Sequence, residues 1–478
     1  MKQLTLPFTR DKYWHNFRPF QQDGIEFLEN TNCNAILTDD VGLGKTIQTM
    51  GLIHYNFDKL TPCLYVVKSS LKYQFLSEHM KWVRAGSNGA RIPMIVSNRK
   101  FKFIPGINFY IISMDLLSSE KIQKAIIAFG FQLIVLDEFH SFKNLATKRT
   151  IGMLEIIKHI PHRIFLSATP VLNRASEYFP ALSIIDPEEF NNFYNFKSKW
   201  IAKNWVDNTW GGIRSYMREP WKKRTSKYIL RRLKEDVLKD LPTFARYMQF
   251  VTSEDSQFIK AYKKEQANLW DFIEQGAEAG EINPQQHILG LIARLRHLVG
   301  IAKATYCIEL LEEFLDNVKD EKIAIGVHHR AVAAILTAAL QRRGVAPVTI
   351  TGSMTPEARH TAVQAFESAE NRVLIASTQA AGEGLNLQCC SKAVLLERQW
   401  NPAKEKQFEG RFHRMGQSKP VEIIYLLIKG SVDEWMHQLV DSKRASIATV
   451  QNEKEYIHPT TGMKESLKSL LTKYQIEG

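Results

Sequence analysis

Ala35-Ile36-Leu37-Thr38-Asp39-Asp40-Val41-Gly42-Leu43-Gly44-Lys45-Thr46 decides how the first half of this chain is read. A short apolar run of strand type leads into a loop with two glycines, and a helical stretch opens at Lys45. The glycines Gly42 and Gly44 let the backbone curl until its N–H groups face a common point, and the start of the helix adds partial positive charge there. Such a loop suits phosphate oxygens. Lys45 has the reach for β- and γ-phosphates, and Thr46 carries a hydroxyl that can ligate Mg²⁺. The strict G-x-x-x-x-G-K-[ST] pattern is broken, because Asp39 stands where its first glycine would be, while the G-x-G-K-T core is intact. Taken alone, the string also fits a plain glycine-rich turn before a helix.

Outward from this loop, short apolar runs recur at Leu64–Val67, Phe109–Ile112, Leu133–Leu136 and Arg163–Leu166, separated by longer amphipathic stretches. That alternation predicts parallel strands joined by helical crossovers. It returns at Ile323–Val327, Val348–Ile350, Val373–Ala376, Ala393–Leu396 and Ile423–Leu427. The fold class is therefore α/β, with two parallel-sheet lobes. Between about 178 and 290 strand-like runs thin out, and Trp200, Trp205, Trp210 and Trp221 appear among many Lys and Arg residues. We read a first lobe over 1–252 with a helical, basic and aromatic insertion at about 178–230. A helical linker or protrusion follows over 253–290, with Gly276–Pro284 as a turn-rich break, then a second lobe over 291–450 and a peripheral tail over 451–478.

Asp137-Glu138-Phe139-His140 follows the Leu133–Leu136 run directly. A carboxylate at the end of a buried strand can sit beside the phosphate loop. Asp137 suits Mg²⁺ and Glu138 suits positioning and deprotonating a water molecule. In isolation an acidic pair after a strand is an ordinary solvated strand end; the preceding G-K-T loop gives it a partner.

The bulk composition narrows the partner. The 478 residues carry 63 Lys+Arg against 50 Asp+Glu, a net charge of +13, which calls for a polyanion such as nucleic acid or an anionic membrane. No run of 18 apolar residues exists, so nothing here spans a bilayer, and nucleic acid is favoured. The opening MKQLTLPFTRDKYW lacks the apolar core of a signal peptide, so a cytoplasmic location is expected. The five cysteines, Cys33, Cys63, Cys307, Cys389 and Cys390, form no C-x-x-C pair, and no structural zinc is expected.

With these residues placed, the chain resembles superfamily-two helicases, specifically the SWI/SNF group of ATP-driven DNA translocases, over roughly Phe17 to Ala445 and in motif order. Pro19–Gly24 resembles the adenine-reading Q motif, with Gln21 as its glutamine. Asp39–Thr46 is similar to the group's D-E-x-G-L-G-K-T loop, which accounts for the missing glycine. Asp137–His140 with Lys143-Asn144 resembles its D-E-x-H box. Ser167-Ala168-Thr169-Pro170 with Asn173 and Glu177 resembles the coupling motif, and Leu230–Val237 with Leu241-Pro242 a segment distinctive of the group. In the second half Val327–Arg330, Thr351–Ser353 with Arg359, Ser377–Leu387 including Gly384, and Gln407–Gln417 continue the match. Val299–Ala304 is similar to the annealing-helicase branch, and the AAGEGLNLQ stretch has a prokaryotic or phage character. Departures occur at Lys68, where proline is common, Ala168, where glycine is common, Gln379, where arginine is common, and the bulky Phe139.

The resemblance implies two RecA-like lobes with helical insertions and ATP with Mg²⁺ in the cleft they share. Lys45, Asp137 and Glu138 would act from the first lobe and Gln407, Arg411 and Arg414 from the second. Nucleotide binding would draw on Gln21, Asp39, Gly42, Gly44, Lys45, Thr46 and Gly384, with Thr46 and Asp137 on the metal. The spacing of Gln407, Arg411 and Arg414 by four and three puts them on one face if the stretch is helical. Their guanidiniums would then serve as arginine fingers. Nucleic-acid contacts are expected from Lys68, Ser69, Ser113, Thr351, Gly352, Ser353 and Thr378, chiefly to phosphates and without sequence preference. Trp400 reads equally as a strand contact or a core tryptophan. Lys222-Lys223-Arg224 and Lys227, with the nearby tryptophans, read either as a nucleic-acid contact or as a solvated basic face.

The expected activity is ATP-dependent translocation on double-stranded DNA by a monomer, with no partner protein assigned. Two alternatives stay open: a strand-separating or annealing helicase on forked DNA or RNA, and a DNA-binding scaffold with a silent ATPase.

Overall fold

The alternation of apolar runs with helical stretches becomes two separate sheets, each parallel at every pairing described. The structure is a computed structural model, describing residues 12–83, 92–167, 178–204, 209–275, 284–382 and 385–451. The chain divides into two compact units, 1–240 and 241–478.

The strands of the first unit are β1 (Asn34–Leu37), β2 (Cys63–Val67), β3 (Met94–Ile95), β4 (Phe109–Ser113), β5 (Leu133–Asp137), β6 (His162–Leu166), β7 (Ile201–Asn204), β8 (Thr209–Ile213) and β9 (Ile229–Leu230). Seven of them form the sheet β3-β4-β2-β5-β6-β1-β9. Its strands read as unbroken apolar runs because helices cover both faces. Alternate residues sort cleanly. Ala35, Leu37, Tyr65, Val67, Leu133 and Val135 enter one core, while Ile36, Leu64, Val66, Ile134 and Leu136 enter the other. Every strand points the same way, so the ends of β1, β5 and β6 open on one edge, where α/β sheets place their ligands.

The insertion is less helical than its composition predicts. The helix Phe193–Trp200 runs into the antiparallel pair β7–β8, and a second helix, Arg218–Thr225, follows. An aromatic cluster holds it together: Trp200 and Trp221 lie 5.4 Å apart, and Phe190 and Phe196 pack on Trp221 at 6.1 Å. The chain then returns to the sheet, where β9 pairs with β1.

In the second unit β10 (Phe244–Val251), β11 (Ile323–Val327), β12 (Val348–Ile350), β13 (Val373–Ser377), β14 (Lys392–Leu395) and β15 (Val421–Ile428) are ordered β10-β15-β14-β11-β13-β12. Two boundaries drawn from sequence move. β10 pairs with β15 along its whole length, so the division falls at 240/241 and not near 252. The expected linker over 253–290 belongs to the second unit as well. The helix Ser256–Gln275 buries Phe258, Tyr262 and Leu269 against the 34-residue helix Pro284–Asn317 and against Val432, Trp435 and Met436. The break at 276–283 and the tail beyond 451 lie outside the described residues.

Candidate functional site

Gly42 and Gly44 take φ values of +87° and +74°, the left-handed region that a side chain would strain, and Gly44 caps the helix Lys45–Tyr55. The loop folds over its own lysine: Lys45 Nζ donates to the carbonyls of Asp39 at 2.7 Å and Asp40 at 3.2 Å. Burial lowers the Lys45 pKa, opposed by the charges of Glu138, Asp39, Asp40 and Asp137. A crowded ammonium at a helix N-terminus, leaning on two carbonyls, fits a polyphosphate.

Asp39 itself faces away from that role. Its carboxylate is fully buried, receives Arg232 Nε at 3.1 Å and Gln48 Nε2 at 3.1 Å, and closes a second contact with the other Arg232 nitrogen. Arg232 also donates to Gln48 Oε1 at 2.8 Å and to the Phe20 carbonyl, and lies 5.5 Å over the Phe20 ring. The aspartate at the missing-glycine position is thus an internal anchor. Arg232 and Gln48, which the sequence reading left without roles, hold it. Gln21 is committed in the same way: its Oε1 accepts from the Arg18 N–H at 3.0 Å and its Nε2 donates to the Leu43 carbonyl at 3.4 Å. In this arrangement it ties the first helix to the phosphate loop.

Asp137 ends β5, and Glu138 sits next to it with φ +50°, a strained value for a non-glycine residue. His140 Nδ1 lies 3.1 Å from Glu138 Oε2, and Ser167 Oγ donates to the same oxygen at 3.1 Å. Ser167 follows β6, which lies between β5 and β1; its hydroxyl holds Glu138 and His140 while its N–H donates to the Leu37 carbonyl at 3.2 Å, so the residue links the acidic pair to the strand leading into the phosphate loop. Burial and the neighbouring Glu138 charge push Asp137 up. Burial would raise Glu138 as well, but the His140 hydrogen bond and the charges of His140, Lys68 and Lys45 hold it below the usual carboxylate range. The surroundings thus drive the two neighbouring carboxyls in opposite directions. Lys68, expected on nucleic acid, carries a charge felt by both carboxylates. Ala168–Glu177 of the coupling motif lie outside the described residues.

The remaining first-unit candidates share the same sheet edge. Ser69 is exposed just after β2, and Ser113 ends β4 opposite Val67, its Oγ accepting from the Asp115 N–H at 3.4 Å. In the insertion, Trp200 and Trp221 are core residues, and Arg224 pairs with Asp186 through two 2.7 Å hydrogen bonds. Trp205 and the Trp210 side chain lie outside the described residues.

Within the second unit the expected single helix is shorter than the motif. The helix Pro402–Glu409 stops before Gly410, so only Gln407 is helical, and Arg411 and Arg414 occupy the turns that follow. Those turns are fixed one by one. Arg411 Nη2 donates to the Gly382 carbonyl at 2.7 Å, His413 stacks on Phe244 at 5.1 Å, and Gln417 Nε2 reaches the carbonyls of Gln388, Cys390 and Phe412. Glu405 and Glu409, one turn apart, anchor the helix: Glu405 to Arg398 and Arg444, Glu409 to Arg246, Arg444 and Tyr425. Thr351 and Ser353 lie in the loop after β12, their hydroxyls 3.1 Å apart, with Gly352 exposed between them. Thr378 departs from expectation: it is fully buried and its hydroxyl donates to the Val327 carbonyl at 3.2 Å. Trp400 packs edge-on to Trp435 at 5.8 Å with Arg296 5.5 Å over its ring, which favours the core reading. Gly384 lies outside the described residues.

No group of three or more His, Cys, Asp or Glu residues suited to a metal occurs among the described residues. A Mg²⁺ held by one hydroxyl, one carboxylate and substrate phosphates needs none, so Thr46 and Asp137 fit it. Nor is any described helix long and apolar enough to cross a membrane.

The SNF2-related domain matches residues 20–300, more than half of the chain, and the helicase conserved C-terminal domain matches residues 303–416. The chain belongs to the SNF2-related family. It is a helicase-like enzyme that uses ATP. Relatives include the DNA annealing helicase and endonuclease ZRANB3 of Mus musculus, 27% identical over 96% of this chain and 43% of its own. The SWI/SNF-related matrix-associated actin-dependent regulator of chromatin subfamily A-like protein 1 of Xenopus tropicalis is 29% identical over 92% and 45%. An uncharacterized ATP-dependent helicase of Mycoplasma pneumoniae is 26% identical over 91% and 42%. The SNF2-related chain thus spans less than half the length of these relatives, and it sits near the annealing branch, as Val299–Ala304 indicated. The solved SWI2/SNF2 ATPase core of Sulfolobus solfataricus in complex with dsDNA aligns over 92% of this chain and 94% of its own, with a TM-score of 0.43 and 23% identity.

Proposed function

We propose that this SNF2-related chain hydrolyses ATP with Mg²⁺ in order to move along double-stranded DNA without sequence preference. The observation that carries the reading is the edge shared by Lys45, Asp137 and Glu138, with Glu138 tethered to Ser167 and His140. Lys45 and the N–H groups of the Gly42–Thr46 loop hold the phosphates. Thr46 and Asp137 would hold Mg²⁺, which when bound neutralises charge on the phosphate oxygens. Glu138 orients the attacking water and takes its proton. Arg411 and Arg414 are the proposed guanidinium donors for charge developing in the transition state. Lys68, Ser69, Ser113, Thr351 and Ser353 are the proposed phosphate contacts on DNA, joined by the backbone of Gly352, while the burial of Thr378 removes it from the set.

ATPase rates measured with duplex DNA, single-stranded DNA and single-stranded RNA test the reading. Duplex DNA should stimulate most, and RNA stimulating as well as duplex would reject it. Lys45→Ala should abolish hydrolysis while leaving DNA binding in place. A second reading, strand annealing at forks, is favoured by the names of the annealing-helicase relatives; a fork-regression assay separates it from plain translocation.

A further inference from the structure

The insertion of the first unit is the part of the molecule that the motor does not use, and its surface is unusual. Residues 193–227 hold nine Lys and Arg against two Asp and Glu, a net of +7 out of +13 for the whole chain. The acids just outside this stretch offset part of it, since two of them pair with cations of the stretch, and Lys222, Lys223 and Lys227 stay exposed. Asp186 takes Arg224 and Tyr228, and Glu189 takes Lys199 and the Trp200 indole.

The aromatic residues divide by role. Trp200 is buried in the insertion's own core, and Trp221 is half-buried against it. Tyr194 and Tyr216 are the reverse: each is 71% exposed, the highest among the exposed large hydrophobic residues described. They belong to one patch. Tyr194 lies one turn before Ser198 on the helix Phe193–Trp200, whose start is capped by the Asn192 side chain at 2.8 Å and 3.1 Å. The Ser198 carbonyl accepts Arg214 Nη2 at 2.8 Å, and Arg214 Nη1 in turn reaches Tyr216 Oη at 3.4 Å. Lys222, Lys223 and Lys227, on and just after the helix Arg218–Thr225 of the same insertion, are exposed as well. Two exposed rings, tied through Arg214 to one capped, internally packed mount in a basic insertion, suit a single strand, which offers both unpaired bases and phosphates. In a duplex the bases already stack on one another, so exposed tyrosines gain little there, whereas unpaired bases have free faces.

We propose that the Tyr194–Arg214–Tyr216 patch binds a single-stranded DNA arm next to the duplex on which the motor acts. The placement beside a duplex rests on the proposed function; the affinity of the patch for unpaired bases does not.

Anisotropy titrations of the intact chain, without nucleotide, test it with three probes: a blunt duplex, the same duplex bearing a single-stranded arm, and the arm alone. Tyr194→Ala with Tyr216→Ala should weaken binding of the arm and of the arm-bearing duplex about ten-fold and leave the blunt duplex unchanged. Tyr194→Phe with Tyr216→Phe keeps the rings and should bind as the wild type does. Lys222→Ala with Lys223→Ala should flatten the salt dependence of arm binding by roughly one charge or more. Wild-type affinity for the arm in the double alanine variant overturns the proposal, as does an equal loss on the blunt duplex. Equal affinity of the wild type for all three DNA probes also overturns it. Failure of the motor reading would appear elsewhere, as a wild-type ATPase that duplex DNA does not stimulate.

Discussion

Arg232 grips the carboxylate of Asp39 with two nitrogens, 193 residues further along the chain, and fixes the first position of the phosphate loop. Both side chains are shielded, Asp39 completely and Arg232 to all but 14%. Removing one partner strands a buried charge, at a cost of about 3–5 kcal/mol. Arg232→Ala should therefore melt the first unit at a lower temperature and raise KM for ATP more than it lowers kcat. Arg232→Lys, which keeps the charge and loses the fork, should fall between. An unchanged KM in a folded Arg232→Ala protein would show that the anchor has no bearing on the loop.

Glu138→Gln keeps the shape of the side chain and removes its capacity to accept a proton. Hydrolysis should fall by about 10²–10⁴-fold with ATP still bound. Single-turnover hydrolysis alongside fluorescent-nucleotide binding checks both halves; loss of binding together with turnover would mean that Glu138 holds the loop and not the water.

Arg411→Ala and Arg414→Ala should each lower kcat, by about 10³-fold or more for a residue acting as an arginine finger, and disturb KM far less. Because Arg411 also holds the Gly382 carbonyl, Arg411→Lys is the informative companion. Steady-state kinetics with saturating duplex DNA measure the split. A KM effect without a kcat effect would reassign these residues to ground-state binding.

Acid should loosen the second unit through Glu409. Burial raises this carboxyl, but the Arg246 hydrogen bonds, the Arg444 and Arg246 charges and the Tyr425 hydroxyl bring it down to about 2 from 4.5. A depressed carboxyl contributes fully above its unfolded value, and the contribution is lost as pH falls from about 4.5 through about 2. With Arg246 partly in solvent, that is on the order of 2 kcal/mol. Urea unfolding followed from pH 6 to pH 2 should show this slope in the wild type and a flatter one in Glu409→Gln.

The two sheets were legible in sequence because their strands are buried on both faces and read as bare apolar runs, from Leu64–Val67 to Ile423–Leu427. The strands that escaped notice are of other kinds. β9 is two residues long, β3 likewise, and β10 is an edge strand with no fully buried residue, so no apolar run marks it. The phosphate loop and the acidic pair were legible since local spacing carries their chemistry. The Asp39–Arg232–Gln48 anchor was not, because its partners meet only through the tertiary fold. Gly24 shows the same limit. A Cβ there would lie 1.8 Å from Gln48 Oε1 and 2.8 Å from Arg232 Nη2, so its small size serves an approach that no neighbouring residue announces. The Arg411–Arg414 turns were not legible, because spacing by four and three gives one face only if the stretch is helical and says nothing of the turn that Gly410 begins.

The late arrival of β9 bears on how the protein is made. Translation delivers the loop at Asp39 long before Arg232, and at roughly 5–20 residues per second the 193 intervening residues take about ten to forty seconds. During that interval the nascent chain has its lysine and glycines but neither the last strand of the sheet nor the guanidinium that locks them. The Asp39 anchor is thereby completed only after the ribosome has passed Arg232, and any gene fragment ending before Arg232 would encode a first unit without it.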